Sequence, residues 1–472
     1  MKSFQDAITI THNLDIHYIW IDSICINQED MKEWESECLK MGSVYGNASL
    51  VIAASLAANS HYGIYGQRQL HQIRLEWLQQ KIDGQVREVI DHTVWYKDEP
   101  SWQVYNDSGL PLFMRAWAFQ ERLLARRIVH FTPREIVWEC RSASYCECGT
   151  MNRLSLEEHQ HWKSKSFKAR YAQVTEWGSD VDRHELWGAI IDQFQSKGIT
   201  KSSDRLPALM TIARQVDKSG IMGRYLAGMW EPSLPETLMW WCDVESATSR
   251  HKQSVTHRRV HSSHIPSWSW LSIEGPLHTW GRNFDSLVGI LQIDYQLAGG
   301  DPYGPCQKAT ILVRGYVVPV HLHQEPTEAG AQRYKISIES EEQNAILIPD
   351  TNPFELQPHE LESAALLALV FNIHEIANCM ILRQAESTPS KFRRVGIAEL
   401  AIRPLRRPAT GPVHLSEELA ADAQTEDGQA ISIKKFAGGQ EMERSPLGKQ
   451  SDPSKTAEFN IWTEMLTAET GS

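Results

Sequence analysis

Between Asp30 and Ala48 the apolar side chains fall at Met31, Trp34, Cys38, Met41, Tyr45 and Ala48, a 3-4-3-4-3 spacing that gathers onto one face only in an α-helix. Asp30 with Glu33 three residues on is a capping-box pattern, and Gly46 and Asn47 can end the helix in a left-handed cap. Short apolar runs flank it, Tyr18-Ile19-Trp20-Ile21 and Leu50-Val51-Ile52-Ala53-Ala54, each suited to a strand covered on both faces. Strand, helix, strand predicts a parallel βαβ unit and an α/β start to the chain.

Further along, Phe4 to Asn13 has helical spacing, and Leu112, Ala116, Phe119 and Leu123 predict a helix running into strands at Ile128 to Phe131 and Ile136 to Cys140. The stretch from Asn59 to Gly109 reads as a surface excursion with one strand around Val86 to Tyr96. Leu154 to Gln215 reads as largely helical, with one helix over Leu206 to Gln215. From Pro266 the pattern becomes that of strands. Trp268 and Trp270 alternate with serine, and Ala309 to Val320, Tyr334 to Ile338, Ala364 to Ile373, Asn378 to Arg383 and Arg393 to Glu399 follow. After Pro404 the chain is polar and rich in Pro, Gly, Ser and Glu, which predicts a disordered tail with one short helix at Phe459 to Thr467. The domain scheme is therefore 1–145 α/β, 146–265 mostly helical, 266–404 β-rich and 405–472 tail.

Composition narrows the function. The 472 residues carry 47 Lys and Arg against 59 Asp and Glu, a formal charge of −12, which argues against a general nucleic-acid binder or an anionic-membrane binder. The longest apolar run, Ala364 to Phe371, is far short of the roughly 20 residues that span a bilayer. Eight cysteines without an export signal fit reduced thiols in the cytosol or nucleus. No Gly-rich phosphate loop, Gly-x-Ser-x-Gly elbow or His-Glu-x-x-His motif occurs. Cys140, Cys146 and Cys148 are spaced C-x5-C-x-C, which is not a zinc pattern, and His257, His261 and His264 read as part of a solvated basic loop.

Several separated segments together resemble one family. Tyr18-Ile-Trp-Ile-Asp-Ser-Ile-Cys-Ile-Asn-Gln28 is followed by Trp34, Glu37, Met41 and the run from Val44 to Ala48. Arg115-Ala-Trp-Ala-Phe-Gln-Glu121 and Trp138-Glu139-Cys140 then come in the same order as in the fungal heterokaryon-incompatibility (HET) domain. Asp204 to Ala208, Tyr225 to Trp230 and Pro266 to Trp270 resemble the extension shared by many such proteins, so the likeness reaches to about Leu400. Family members usually open with a Tyr-x-x-Leu-Ser-Tyr-x-Trp-Gly segment holding the first strand. This sequence starts past it, so the resemblance implies a fragment or a domain that has lost that strand, with a sheet edge left open or covered otherwise.

The resemblance implies a TIR-like parallel sheet flanked by helices, then a helical segment and a β-rich C-terminal unit. It also implies a cytoplasmic protein of non-self recognition and programmed cell death, acting through protein partners and self-association. Some TIR domains instead cleave NAD with a helix-borne glutamate, and a degenerate member would do neither. For the enzyme, Glu37 is the candidate carboxylate to stabilise the oxocarbenium-like charge as nicotinamide leaves. Asp22, Ser23, Asn27 and Gln28 line the rim at the end of the first strand, and NAD is the implied substrate. The plainer readings pair Glu37 with Lys40 and make Asp22 a cap of its own loop. Trp20, Trp34, Met41, Tyr45, Arg115, Trp117, Gln120 and Glu121 read as structural residues of the motif, with Arg115, Gln120 and Glu121 locking a helix onto the sheet.

Overall fold

A computed structural model of the chain describes residues 1–65, 110–151 (except 134, 148 and 150), 166–242, 257–400 and 457–462. Within 257–400, residues 261–263, 280–285, 326–332, 339–340, 352–353, 355–363, 374–375 and 386–387 are not described. The expected strand at Val86 to Tyr96 and most of the expected tail lie outside the described residues. The chain divides into two compact units, Met1–Gly223 and Arg224–Ser472.

The N-terminal unit begins with helix α1 (Lys2–Asn13), the single turn α2 (Asp22–Cys25) and α3 (Met31–Asn47). Asp30 caps α3 by accepting from the amides of Lys32 and Glu33 at 2.9 and 3.3 Å. The capping box is only half made, because the Glu33 carboxylate accepts from the Asn27 amide instead, at 3.2 Å. Strand β1 (Val51–Ala53) follows, then a 3-10 turn at Pro111–Met114, α4 (Ala116–Leu124), β2 (Arg127–Phe131), β3 (Ile136–Cys140) and β4 (Ser144–Cys146). The sheet order is β1-β2-β3-β4, with β1 and β2 parallel and the other two pairings antiparallel.

The sheet is thus mixed, not parallel throughout, because the tight turns after β2 and β3 reverse the chain at once. Tyr18 to Ile21 is no strand: Ile21 is extended, but no ladder partner lies beside the run among the described residues, and Tyr18 is 90% exposed. The parallel neighbour that β1 does have is β2, reached through α4.

Three helices follow, α5 (Phe167–Trp177), α6 (Asp180–Gln195) and α7 (Pro207–Val216). A full capping box, Ser179 with Asp182, opens α6, and a proline in the first turn opens α7. The α4 N-terminus is held by the bridge between Arg115 and Gly198, with the Ala116 amide donating to the Gly198 carbonyl at 3.1 Å.

In the C-terminal unit the pairings close into a ring: Cys306–Glu325, Arg333–Ile338, Glu341–Pro349, Thr388–Leu400, Ala377–Ala385, Leu366–Ile373 and back to Cys306–Glu325. A ring of this size is filled by its own side chains, here including Leu322, Ile336, Leu347, Ala368 and Ile381. At Gly396 a Cβ would stand 2.5 Å from the Ile348 carbonyl oxygen, so the close approach of two strands there requires glycine.

Two further expectations are corrected. Trp268 and Trp270 are not on a strand. Trp270 starts a 3-10 turn, and both indoles are buried, with Trp270 Nε1 donating to the Gly228 carbonyl at 2.9 Å. Phe459 to Trp462 is strand, not helix: Ala457–Trp462 pairs with Thr310 to Gly315 and with Lys391 and Phe392, where an open ladder edge outweighs weak local helical preference.

Candidate functional site

The sequence motifs that stand apart along the chain meet where α2, α3 and α4 pack. On α3, Trp34 lies edge-on to Trp117 of α4, with ring centroids 6.2 Å apart, and Tyr45 lies edge-on to Trp20 at 5.8 Å. Met41, one turn before Tyr45, is buried in the same packing. Trp117 Nε1 donates to Asp204 at 3.4 Å, and Gln120 Nε2 donates to the Pro207 carbonyl at 3.3 Å, which ties α4 to the start of α7.

Within this packing the Tyr45 hydroxyl and the Glu121 carboxylate lie close enough to act on one another, with Asp22 and Arg115 close enough for their charges to act on both. Burial pushes the Glu121 carboxyl up from its ordinary 4.5 to about 7; Asp22 adds to this and Arg115 opposes it. Glu121 keeps some contact with solvent, but the groups packed around its carboxyl set its environment. Burial, followed by the charges of Glu121 and Asp22, raises the Tyr45 hydroxyl well above its ordinary range. A carboxyl poised near neutrality beside a protonated phenol is the arrangement from which proton transfer is efficient at cellular pH.

The other rim residues fold back on their own loop. Asp22 accepts from the Ser23 amide at 2.7 Å, Asn27 from the Glu29 amide at 3.1 Å, and Gln28 Nε2 donates to the carbonyls of Ile26 and Asp22 at 3.3 and 3.4 Å. Glu37 pairs with Lys40 at 2.7 Å. It sits eight residues before Tyr45, about 12 Å along the helix axis, and is not brought to the Glu121 cluster. Asp22 is the one residue of the expected rim that reaches the cluster.

Directly behind Glu121, its neighbour Arg122 faces the sheet. Arg122 donates twice to Glu139, at 2.7 and 2.9 Å; His130 Nε2 meets the same carboxylate at 3.1 Å, and Ser55 Oγ meets His130 Nδ1 at 3.0 Å. Burial works to raise Glu139, but the Arg122 charge and the hydrogen bonds from His130 and Arg122 outweigh it and hold the carboxyl well below its usual range. Burial keeps His130 on the neutral side. A serine, histidine and glutamate in line resemble a nucleophilic relay, but Ser55 is fully buried, so the chain of contacts is a lock and offers no nucleophile to substrate. The Lys168 ammonium donates to the carbonyls of Arg122 and Ala125 and so closes the α4 C-terminus; burial lowers its pKa to about 7.

Sequence reading assigned Glu121 to helix packing and missed its proximity to Tyr45, because 76 positions separate the two and no local spacing signals it. It also missed the Ser55-His130-Glu139-Arg122 chain, whose members are isolated polar residues in apolar strands. A buried glutamate and histidine on facing strands were the available signal.

Cysteines 25, 38, 140, 146, 242, 306 and 379 form no disulfide, and no group of metal-ligating side chains assembles among the described residues. No described helix is long and apolar enough to cross a membrane.

Residues 1–121 match the family described as heterokaryon incompatibility protein (HET), a match that ends at Glu121 itself. No curated protein and no solved structure matches the chain.

Proposed function

We propose that the chain is an intracellular fungal protein of non-self recognition, in which a TIR-like HET domain works through protein partners and self-association to trigger cell death. The match over residues 1–121 carries this reading. The convergence of Trp20, Asp22, Tyr45, Arg115, Trp117 and Glu121 from three separated motif segments supports it, since residues so far apart are held together by one packed cluster. The net charge of −12 favours protein partners over nucleic acid. The test is induced expression in a filamentous fungus, scored by growth and vital staining. The full chain is expected to arrest growth, and Tyr45→Phe with Glu121→Gln to relieve the arrest at equal protein level. Growth unaffected by the full chain would overturn the reading.

A second reading, NAD cleavage, is favoured by one observation, the Glu121 carboxyl poised near neutrality. It moves the candidate carboxylate from Glu37, which is paired with Lys40, to Glu121. Nicotinamide release by purified protein separates the two: release lost in Glu121→Gln and kept in Glu37→Ala supports the enzyme, and no release from folded protein removes it.

A further inference from the structure

On the N-terminal unit a groove of about 580 Å³ runs between α3, α5, the C-terminal end of α7 and the turn after β3, within the range of small-molecule sites. A side lobe of about 290 Å³ continues it, with Gly42, Gly46, Arg141 and Gln215 common to both. None of the Glu121 cluster lines either part, and apart from the α3 residues the lining lies beyond the HET match.

Three observations indicate what the groove takes. Its charge is one-sided: Arg141 and Lys218 line the main part, Arg126 and Arg214 the lobe, and Glu176 is the single carboxylate among the described lining residues. Two hydroxyls on its walls are buried without a hydrogen-bond partner among the described residues, Tyr171 in the main part and Thr211 in the lobe. An unmet buried hydroxyl is unfavourable, and a bound acceptor would satisfy it. Trp177, 81% exposed, stands on the rim as a stacking surface. Gly42 and Gly46, one turn apart, leave the α3 wall bare; at Gly42 a Cβ would come 2.8 Å from Thr211 Cγ2.

We propose that this groove binds a ligand bearing at least two phosphate groups, clamped between Arg141 and Lys218, hydrogen-bonded by the Tyr171 hydroxyl and covered on one side by the Trp177 indole. Arginine presents paired donors that match phosphate oxygens, and two cations facing one cavity demand more than a single negative charge. The size of the cavity and the indole on its rim favour a nucleoside polyphosphate over a free polyphosphate anion. The binding is separate from the Glu121 chemistry and stands or falls without it.

The test is calorimetric titration of the full chain with ADP and, separately, with inorganic pyrophosphate. Saturable one-to-one binding is expected for both, with ADP tighter. Arg141→Glu and Lys218→Glu, both at exposed positions, are each expected to weaken both ligands by about tenfold or more. Tyr171→Phe is expected to weaken both without lowering the melting temperature, because its hydroxyl has no hydrogen-bond partner among the described residues. Trp177→Ala is expected to weaken ADP and spare pyrophosphate. Equal affinity for ADP and pyrophosphate, with no effect of Trp177→Ala, would overturn the nucleoside part and leave a free polyphosphate as the ligand. No saturable binding of either to cooperatively melting protein at about 1 mM, or binding indifferent to both charge reversals, would overturn the whole proposal.

Discussion

In the N-terminal unit Arg122 is buried against Glu139, His130 and Ser55, with Lys168 closing the helix that carries it. In the C-terminal unit Arg394 is buried against Asp350, the carbonyls of Leu238 and Trp240, and the Trp240 ring 3.5 Å away. Both solve the same physical problem, a guanidinium out of water, by filling its donors. They differ in the company it keeps. The Arg394 site holds one carboxylate, shared at 3.6 Å with Arg259, and main-chain oxygens, so it serves to hold distant segments together. The Arg122 site includes a histidine and a lysine whose protons burial has loosened, and it lies one residue from Glu121. Buried charge serves connectivity in one unit, and in the other also couples the fold to pH.

The strongest way to break this comparison is Arg394→Met. It leaves Asp350 with only its longer 3.6 Å ion pair to Arg259 and frees two carbonyls, and is expected to cost about 3–5 kcal/mol in urea denaturation. A loss under about 1 kcal/mol would mean that the network is not what holds the unit. Next comes Glu139→Gln, which keeps the shape but leaves Arg122 unneutralised. About 2–3 kcal/mol is expected, with a second change, Arg122→Met, recovering part of it in a double-mutant cycle.

The pH dependence sharpens the contrast. Glu121 is raised from 4.5 to about 7, so the folded state holds its proton longer than the unfolded chain. Its stabilising contribution is complete below about 4.5 and is lost as pH rises to about 7. Lys168 is lowered from 10.5 to about 7, and its contribution is complete above 10.5 and is lost as pH falls to about 7. Denaturation at a series of pH values should show Glu121→Gln flattening the slope below neutrality and Lys168→Met the slope above it. The Arg394 variant should change neither slope. Smaller still, Ser55→Ala removes one hydrogen bond to His130 and should cost about 1 kcal/mol. Glu37→Ala, which removes only a surface pair with Lys40, should stay within about 0.5 kcal/mol.

The sequence revealed what is periodic. The helix ending at Asn47, the short strands Val51–Ala53 and Ile136–Cys140, and the apolar strands after residue 306 all follow from repeats of 3.6 or 2. What escaped depends on contacts between distant segments. Tyr18 to Ile21 has a strand's composition but no partner, the Trp268 and Trp270 alternation was made by a tight buried turn, and Ala457–Trp462 became a strand because a sheet edge accepted it. The motif residues could be named from the sequence, but Tyr45 and Glu121 as close neighbours could not. Proximity across 76 positions is a property of the fold.

Glu121 and Arg122 are consecutive on α4, so their side chains leave the helix about 100° apart. One meets Tyr45 and the other is bolted into the sheet. One short helix thus anchors two unlike neighbours, and whatever alters the seat of Arg122 in the sheet alters the residue next to Glu121 as well.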